Sequence, residues 1–523
     1  MNAEHVSPAA GLQRFLILLC VSIPSFMINL DSNIVAVSLS SIAQSLHADF
    51  ADIEWVISAY TLTFASCVMP AGALADRYGR KRMLVIGLAV FTLASLFCGA
   101  AGNVALLNGA RALQGVGAAI LLSSALATLS HTFRGPHRAR AFAFWGSVIG
   151  IATSLGPVVG GFITQHFGWQ WVFYINGPIG VVMIALTLYA VKESSDPHAR
   201  KIDVPGSITF CGSLFLITLA LITGNHAGWS SPQIRIEFAS AAVLFALFLI
   251  VELKQHRPML DLSFFRRPTY IGANIAGLAY ASALLTMFTY LPIYFQSGLG
   301  LSPQKAGLLM LPIAVPLFVV PRIVANYLTH RFSGRALLTF GLATIGVGLL
   351  WLGAHALSFD YTSMVAGLLI AGIGAGILNG ETAKVSMSVI PPERAGMASG
   401  ISGTVRFTGI VVGFAALGAI LFSRVSATLA SGLPADSAID PVSLTRRIAA
   451  GDLSSGPLAS SSGIDLHALA LHSFGSGYQA ILWVGAGIAL IAALLAWLLV
   501  RSADTAPTPR HIENPAAVVP QAE

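Results

Sequence analysis

A chain of 523 residues, 55% of them hydrophobic and only 10% charged, with a mean hydropathy of +0.77, is too apolar for a soluble domain, in which about a quarter of residues carry charge. Its formal net charge of +7 would suit a polyanionic partner only if the basic residues formed one face or stripe. All but four lie instead in the tails and the turns between apolar runs, which excludes nucleic acid and places the chain in a lipid bilayer.

An apolar run of about 20 residues crosses the hydrocarbon core, and about fourteen such runs follow one another here. Their approximate positions are 14–41, 54–74, 82–101, 105–130, 141–165, 172–191, 205–223, 235–253, 269–295, 304–328, 335–356, 361–387, 396–423 and 476–500. The predicted fold is therefore an all-α membrane protein. The first run is too long, and carries Asp31 too deep, for a cleaved signal segment, so it is expected to stay as span 1. With the N-terminus in the cytoplasm, the loops and tails on that side hold most of the 29 Lys and Arg residues. The opposite loops hold only Arg235, Lys305, Arg424, Arg446 and Arg447. That asymmetry predicts an even number of spans in a plasma membrane, the inner membrane of a bacterium, with both termini cytoplasmic. Cys20, Cys67, Cys98 and Cys211 sit in apolar runs without paired spacing, so neither a disulfide framework nor a metal site is expected.

Along the chain, the first deep charge is Asp31, about 10 residues or roughly 15 Å from the outer end of span 1. The next is Arg111 in span 4, roughly 12 Å from its outer end and so at similar depth. Charge at that depth is costly and usually faces a cavity. Desolvation raises a carboxyl pKa and a neighbouring guanidinium lowers it, so a shared cavity could tune Asp31 toward neutral pH. Asp31 is expected to carry a coupling proton, with Arg111 holding its charged form; the alternative is a fixed ion pair joining spans 1 and 4. In span 12, Glu381 lies one turn from Lys384 and reads either as a neutralised pair or as a second titrating or cation-binding acid. Arg406 in span 13 reads equally as structural or anion-contacting. Trp55, Tyr60, Gln114, Tyr290, Tyr294 and Gln296 have the aromatic and amide character that binds bulky apolar compounds, and equally that of packing or interfacial anchors.

Between spans 2 and 3, GALADRYGRKR at 72–82 sets one acid and four basic residues in a single turn. A weaker copy follows at 326–342: NYLTHRFSGRALLTFGL aligns without gaps on GALADRYGRKRMLVIGL at 72–88, with Arg77 meeting Arg331, Tyr78 meeting Phe332, Lys81 meeting Arg335, Leu84 meeting Leu338 and Gly87 meeting Gly341. Both copies join the second and third spans of a six-span block if spans 7 and 8 are set aside as an insertion. Two parallel six-span halves are one of the repeat architectures of transporters. The expected organisation is a first half at 1–195, two inserted spans at 196–265, a second half at 266–500 with a long outer loop at about 424–475, and a tail at 501–523. In span 5, GIATSLGPVVGG at 150–161 leaves one face bare of bulky side chains through Gly156, Gly160 and Gly161, beside a kinking Pro157.

These stretches together resemble the fourteen-span drug:proton antiporter branch of the major facilitator superfamily. GALADRYGRKR resembles its loop 2–3 signature, ARALQGVGAA at 110–119 its helix 4 signature, GIATSLGPVVGG its antiporter helix 5 signature, and LDSNIVAVSLSSIA at 30–43 the helix 1 pattern of the branch. Ser40 and Gln170 depart from the usual proline and arginine. The resemblance implies that Gly72, Asp76, Arg77, Gly79 and Arg80 form a gate that latches the halves on the cytoplasmic side. It also implies proton-driven efflux of small amphiphilic compounds. No Ser-His-Asp order, HExxH helix or Walker loop is present, so an enzyme is not expected, nor a cofactor. The rival readings are a facilitator of the same fold for a dedicated metabolite or siderophore, and a transporter-like receptor. Any periplasmic adaptor is left unassigned.

Overall fold

The computed structural model describes residues 8–133, 135–195, 203–255, 262–390, 395–433, 440–453 and 465–505. Within them the chain is helical, without a strand. The long helices are α1 (Pro8–Leu46), α2 (Phe50–Tyr78), α3 (Arg80–Gly99), α4 (Val104–Thr132), α5 (Gly135–Phe167), α6 (Trp171–Ala190), α7 (Val204–Ala227) and α8 (Pro232–Lys254). They continue as α9 (Pro268–Gly298), α10 (Leu311–Leu328, after a short turn Pro303–Leu309), α11 (Gly334–His355), α12 (Tyr361–Ser388), α13 (Ala395–Gly432) and α14 (Leu466–Leu499). Thirteen of them meet the length and hydropathy of a membrane span; α2, at 29 residues, has the length but is not one of the thirteen. The chain is a multi-pass membrane protein.

Short polar turns start these helices because their side chains take up amide groups that the first turn leaves unpaired. Asp49 accepts from the amide of Asp52 at 2.9 Å while Asp52 accepts from that of Asp49 at 3.3 Å, a reciprocal box at the head of α2. Asn103 caps α4, Asp203 caps α7, Ser231 caps α8, Ser333 caps α11 and Asp465 caps α14.

Helix pairing repeats along the chain. In the first block α1 packs on α5, α2 and α3 on α4, and α3 on α6. In the second, α9 packs on α13, α10 and α11 on α12, and α11 on α14. The aligned glycines occupy matching crossings: a methyl on Gly87 would lie 2.6 Å from the backbone nitrogen of Leu121 in α4, and one on Gly341 would lie 2.9 Å from the Leu378 side chain in α12. The aligned turns are also buttressed alike. The Glu193 carboxylate after α6 accepts from the amides of Lys81 (3.1 Å) and Arg82 (3.2 Å), while Thr505 after α14 accepts from the amide of Arg335 at 3.3 Å.

α7 rests on α2 and α13, and α8 rests on α7. The blocks meet through α2 with α13, α5 with α10 and its preceding turn, and α1 with α9. These contacts cluster on the side away from loop 2–3. There the Gln296 amide donates to Val37 O at 2.7 Å, Ser154 Oγ donates to Ala314 O at 2.8 Å, and a methyl on Gly161 would lie 2.8 Å from Gln304 Cα. Farther along the same seam, the rings of Phe64 and Phe407 meet edge to face at 4.2 Å.

The loop expected at 424–475 is shorter than its composition indicated, because α13 runs on to Gly432 and α14 starts at Leu466. Arg424 and Thr428 read as loop residues by hydropathy, yet they lie on the extension of α13 and pair with Ser476 of α14, Arg424 Nε donating to Ser476 Oγ at 3.1 Å. Within the loop lies the short helix Pro441–Ala449, whose Thr445, Ile448 and Ala449 are buried.

Candidate functional site

Three helices converge on Asp31. Its Oδ2 accepts from Arg111 Nη1 at 2.6 Å, and its Oδ1 accepts from Gln114 Nε2 at 2.9 Å and from Asn176 Nδ2 at 3.0 Å. Both side chains of the ion pair are 0% exposed. Gln114 and Arg111 are three residues apart and so share one face of α4, which lets Arg111 Nη1 also donate to Gln114 Oε1 at 2.6 Å. Gln114 Nε2 reaches Ser95 Oγ on α3 at 2.7 Å, and Arg111 Nε donates to Val56 O of α2 at 3.0 Å. The guanidinium carbon stands 4.1 Å from the Tyr60 ring centre and 5.8 Å from that of Phe173, distances at which a ring face attracts a cation.

Burying one charge without partners costs many kcal/mol, and a pair repays that cost only when its remaining donors and acceptors are satisfied. Asp31 meets this condition. Arg111 meets it only partly, since its Nη2 has no hydrogen-bond partner. Such an arrangement can hold two states: Asp31 ionised and paired, or Asp31 protonated with the guanidinium turning to its other acceptors and rings.

The remaining expected residues fall in three places. Tyr290 and Tyr294 belong to an aromatic stack in the second block: Tyr294 lies parallel to Phe359 at 5.4 Å and to Phe474 at 6.2 Å, and Tyr290 stacks on Phe414 at 4.8 Å. The Tyr290 hydroxyl donates to Phe414 O at 2.7 Å and the Tyr294 hydroxyl to Ala356 O at 2.6 Å. Gln296 lines a cavity of about 390 Å³ between the blocks, with Ser40, Gln44, Ser297 and Asp452. Trp55 faces Phe215 of α7, ring centres 6.1 Å apart.

In helix 5, a methyl on Gly160 would lie 2.8 Å from Ile34 Cα, and one on Gly156 would overlap Asn33; Pro157 O lies against Gly307 of the second block. The bare face therefore touches α1 on one side and the other block on the other. In loop 2–3, Gly79 has φ +110°, a backbone region that favours glycine, and its Cβ position is filled by the Glu193 carboxylate. The Arg80 amide donates to Ser194 O at 2.9 Å, Arg77 is exposed, and a methyl on Gly72 would meet nothing within 4 Å. Glu193 and Ser194, which hold this turn, belong to the first block. The Asp76 side chain is outside the described residues.

Glu381 accepts from Lys384 Nζ at 3.2 Å, and its Oε2 has no partner. It follows a break in α12, where Asn379 (ψ 103°) and Gly380 (φ +96°) leave helical geometry. Interrupted spans expose backbone groups near binding sites in transporters. The Asn-Gly dipeptide at 379–380 signals that break in the sequence. Ser95 and Asn176 carry no comparable signal, being single polar residues in apolar runs that only packing brings to Asp31. Glu54, fully buried at the head of α2, was also not anticipated.

Residues 21–414 match the model of the Major Facilitator Superfamily. The chain belongs to this superfamily. It is 36% identical over 419 residues to a multidrug resistance protein, Stp, of Mycobacterium tuberculosis, covering 80% of this chain and 77% of that one. It is 34% identical to a methylenomycin A resistance protein of Streptomyces coelicolor, covering 76% and 83%. Among solved structures, an inward-facing bacterial homologue of the lysosomal transporter Spinster shares the fold with a TM-score of 0.65 at 15% identity, over 94% of this chain and 98% of that one. The major facilitator fold expected from the sequence, two six-helix halves plus two further helices, is the one observed.

Proposed function

We propose that this efflux transporter exports small amphiphilic compounds in exchange for protons, with Asp31 as the proton carrier. The observation that carries the reading is a fully buried carboxylate with one guanidinium and two amide partners drawn from α4 and α6. Protonation of Asp31 Oδ2 breaks its 2.6 Å pair with Arg111 and frees the guanidinium toward Val56 O, Gln114 and the Tyr60 ring. Return of the guanidinium favours ionisation and expels the proton. Because the network ties α1, α3, α4 and α6 together, each protonation state favours a different packing of the first block, which is what alternating access requires.

The charge asymmetry of the loops supports an orientation with both ends on the cytoplasmic side of the plasma membrane. In that orientation the seam contacts seal the outer face, and the blocks 1–195 and 266–500 alternate about the cavity between them. Loop 2–3 and the Gly156, Pro157, Gly160 and Gly161 face serve as gate and hinge. Glu381, neutralised by Lys384, is the reserve candidate for proton transfer. Resistance to an antibiotic belongs to the names of relatives, and supports amphiphilic drugs as the substrate class.

Everted vesicles carrying the chain, energised by an imposed proton gradient, test the reading. Addition of cationic, neutral or anionic amphiphiles is expected to dissipate the gradient with at least one class. Dissipation equal to that of empty vesicles with every class would contradict proton antiport.

A further inference from the structure

Glu54 stands in a different setting from Asp31. It is 2% exposed, four residues from the start of α2, and it lies on the seam between the blocks. Its Oε1 occupies the place where a methyl on Gly418 of α13 would stand, and Tyr290 Oη of α9 would lie 2.8 Å from the same methyl. Oε1 has no hydrogen-bond partner, and Glu54 forms no ion pair among the described residues. Three elements therefore close on a carboxyl group with nothing to balance a charge.

The groups around it supply no counter-cation. Asp49, one turn back on the approach to α2, adds like charge. α9 presents Tyr290, whose proton is given to Phe414 O, with Tyr478 of α14 behind it at 6.4 Å. α13 presents Gly418. Arg111 of α4 is committed to Asp31 and Val56 O. The loop helix Pro441–Ala449, which also touches α2, sets Arg447 on Asp452 at 2.8 Å, and its Arg446 forms no ion pair with Glu54 among the described residues.

We infer that Glu54 is a second proton-binding acid, and that the seam closes at this end only when Glu54 has taken a proton from the medium on that side. An ionised carboxylate costs several kcal/mol when sealed away from water without a partner, whereas the neutral acid does not carry that penalty. When the seam parts, Glu54 meets water and returns the proton to the side from which it came. It therefore adds nothing to the number of protons carried per substrate; it sets how the pH of that medium poises the two conformations. The inference rests on alternating access as proposed above.

The test uses the full chain in nanodiscs, its four native cysteines replaced by alanine and spin labels placed at Ser45→Cys and Ser431→Cys, exposed positions at that end of α1 and α13. Distances between the labels are expected to shorten as pH falls. In Glu54→Gln, a neutral isostere, they should be short at every pH. Asp31→Asn should keep the Glu54-dependent part of the titration, which separates this inference from proton antiport at Asp31. Infrared difference spectra give a second readout: the low-pH form should show a protonated carboxyl band that Glu54→Gln lacks. A pH titration in Glu54→Gln with wild-type amplitude and midpoint, or a low-pH spectrum in which the mutation removes no such band, would overturn the inference.

Discussion

In the first block the space enclosed by α1, α3, α4 and α6 holds a carboxylate, a guanidinium, two amides and a hydroxyl, all hydrogen-bonded to one another. In the second block the space between α9 and α14 holds Tyr290, Tyr294, Phe474 and Tyr478, stacked or tilted against one another. Yet the two blocks share their helix pairing, their aligned turns and the glycines at their crossings. A duplicated scaffold is thus filled with two chemistries. One interior is built around a charge pair, and we propose that it responds to a proton at Asp31. The other is held by area and shape, because aromatic rings pack whatever the pH.

Substitutions can break that contrast or sharpen it. The largest effect is expected from Arg111→Ala, which leaves Asp31 buried without its cation: stability should fall by about 3–5 kcal/mol, read as a lowered unfolding midpoint in detergent. Asp31→Asn,Arg111→Leu together should recover much of that stability without recovering transport, since removing both charges leaves neither uncompensated. In the second block, Tyr294→Ala removes a fully buried ring from between two parallel ones and should cost about 3–5 kcal/mol. That loss should be the same at pH 6 and pH 8, since no ionised group takes part in the stack.

The aligned glycines sharpen the comparison further. Gly87→Ala drives a methyl against backbone, and Gly341→Ala against the end of a leucine that can turn away. The first should cost about 1–3 kcal/mol and the second less. The smallest effects belong to the turns. Ser333→Ala removes the cap of α11 at about 1 kcal/mol, and Glu193→Gln weakens the carboxylate held at the head of α3 by about 0.3–1 kcal/mol. Both would show as small midpoint shifts with transport retained.

Much of this architecture could be read from the chain because bilayer spans need long apolar runs and their turns need capping residues, and both are local properties. The repeat of 72–88 at 326–342 was legible for the same reason: its residues face a turn that each block must make. The equal depth of Asp31 and Arg111 followed from counting residues along two helices. The rest of the network did not, since Asn176 is brought to Asp31, and Ser95 to Gln114 and Asn176, by the crossings of α3, α4 and α6. Hydropathy also cut α13 and α14 short, because Arg424 and Thr428 are satisfied by Ser476 on helices that leave the apolar zone. Glu54 was hidden by its position: an acid near the head of a span resembles an interfacial charge until α13 and α9 are seen to close over it.

We propose that Asp31 gives up its proton as substrate binds. Purified protein in weakly buffered detergent solution, mixed with an amphiphile it transports, should release protons that a pH indicator records. Asp31→Asn should bind the same compound with the release abolished. Release from Asp31→Asn equal to that of the wild type would contradict the account and leave the buried pair with Arg111 as a structural tie between α1 and α4.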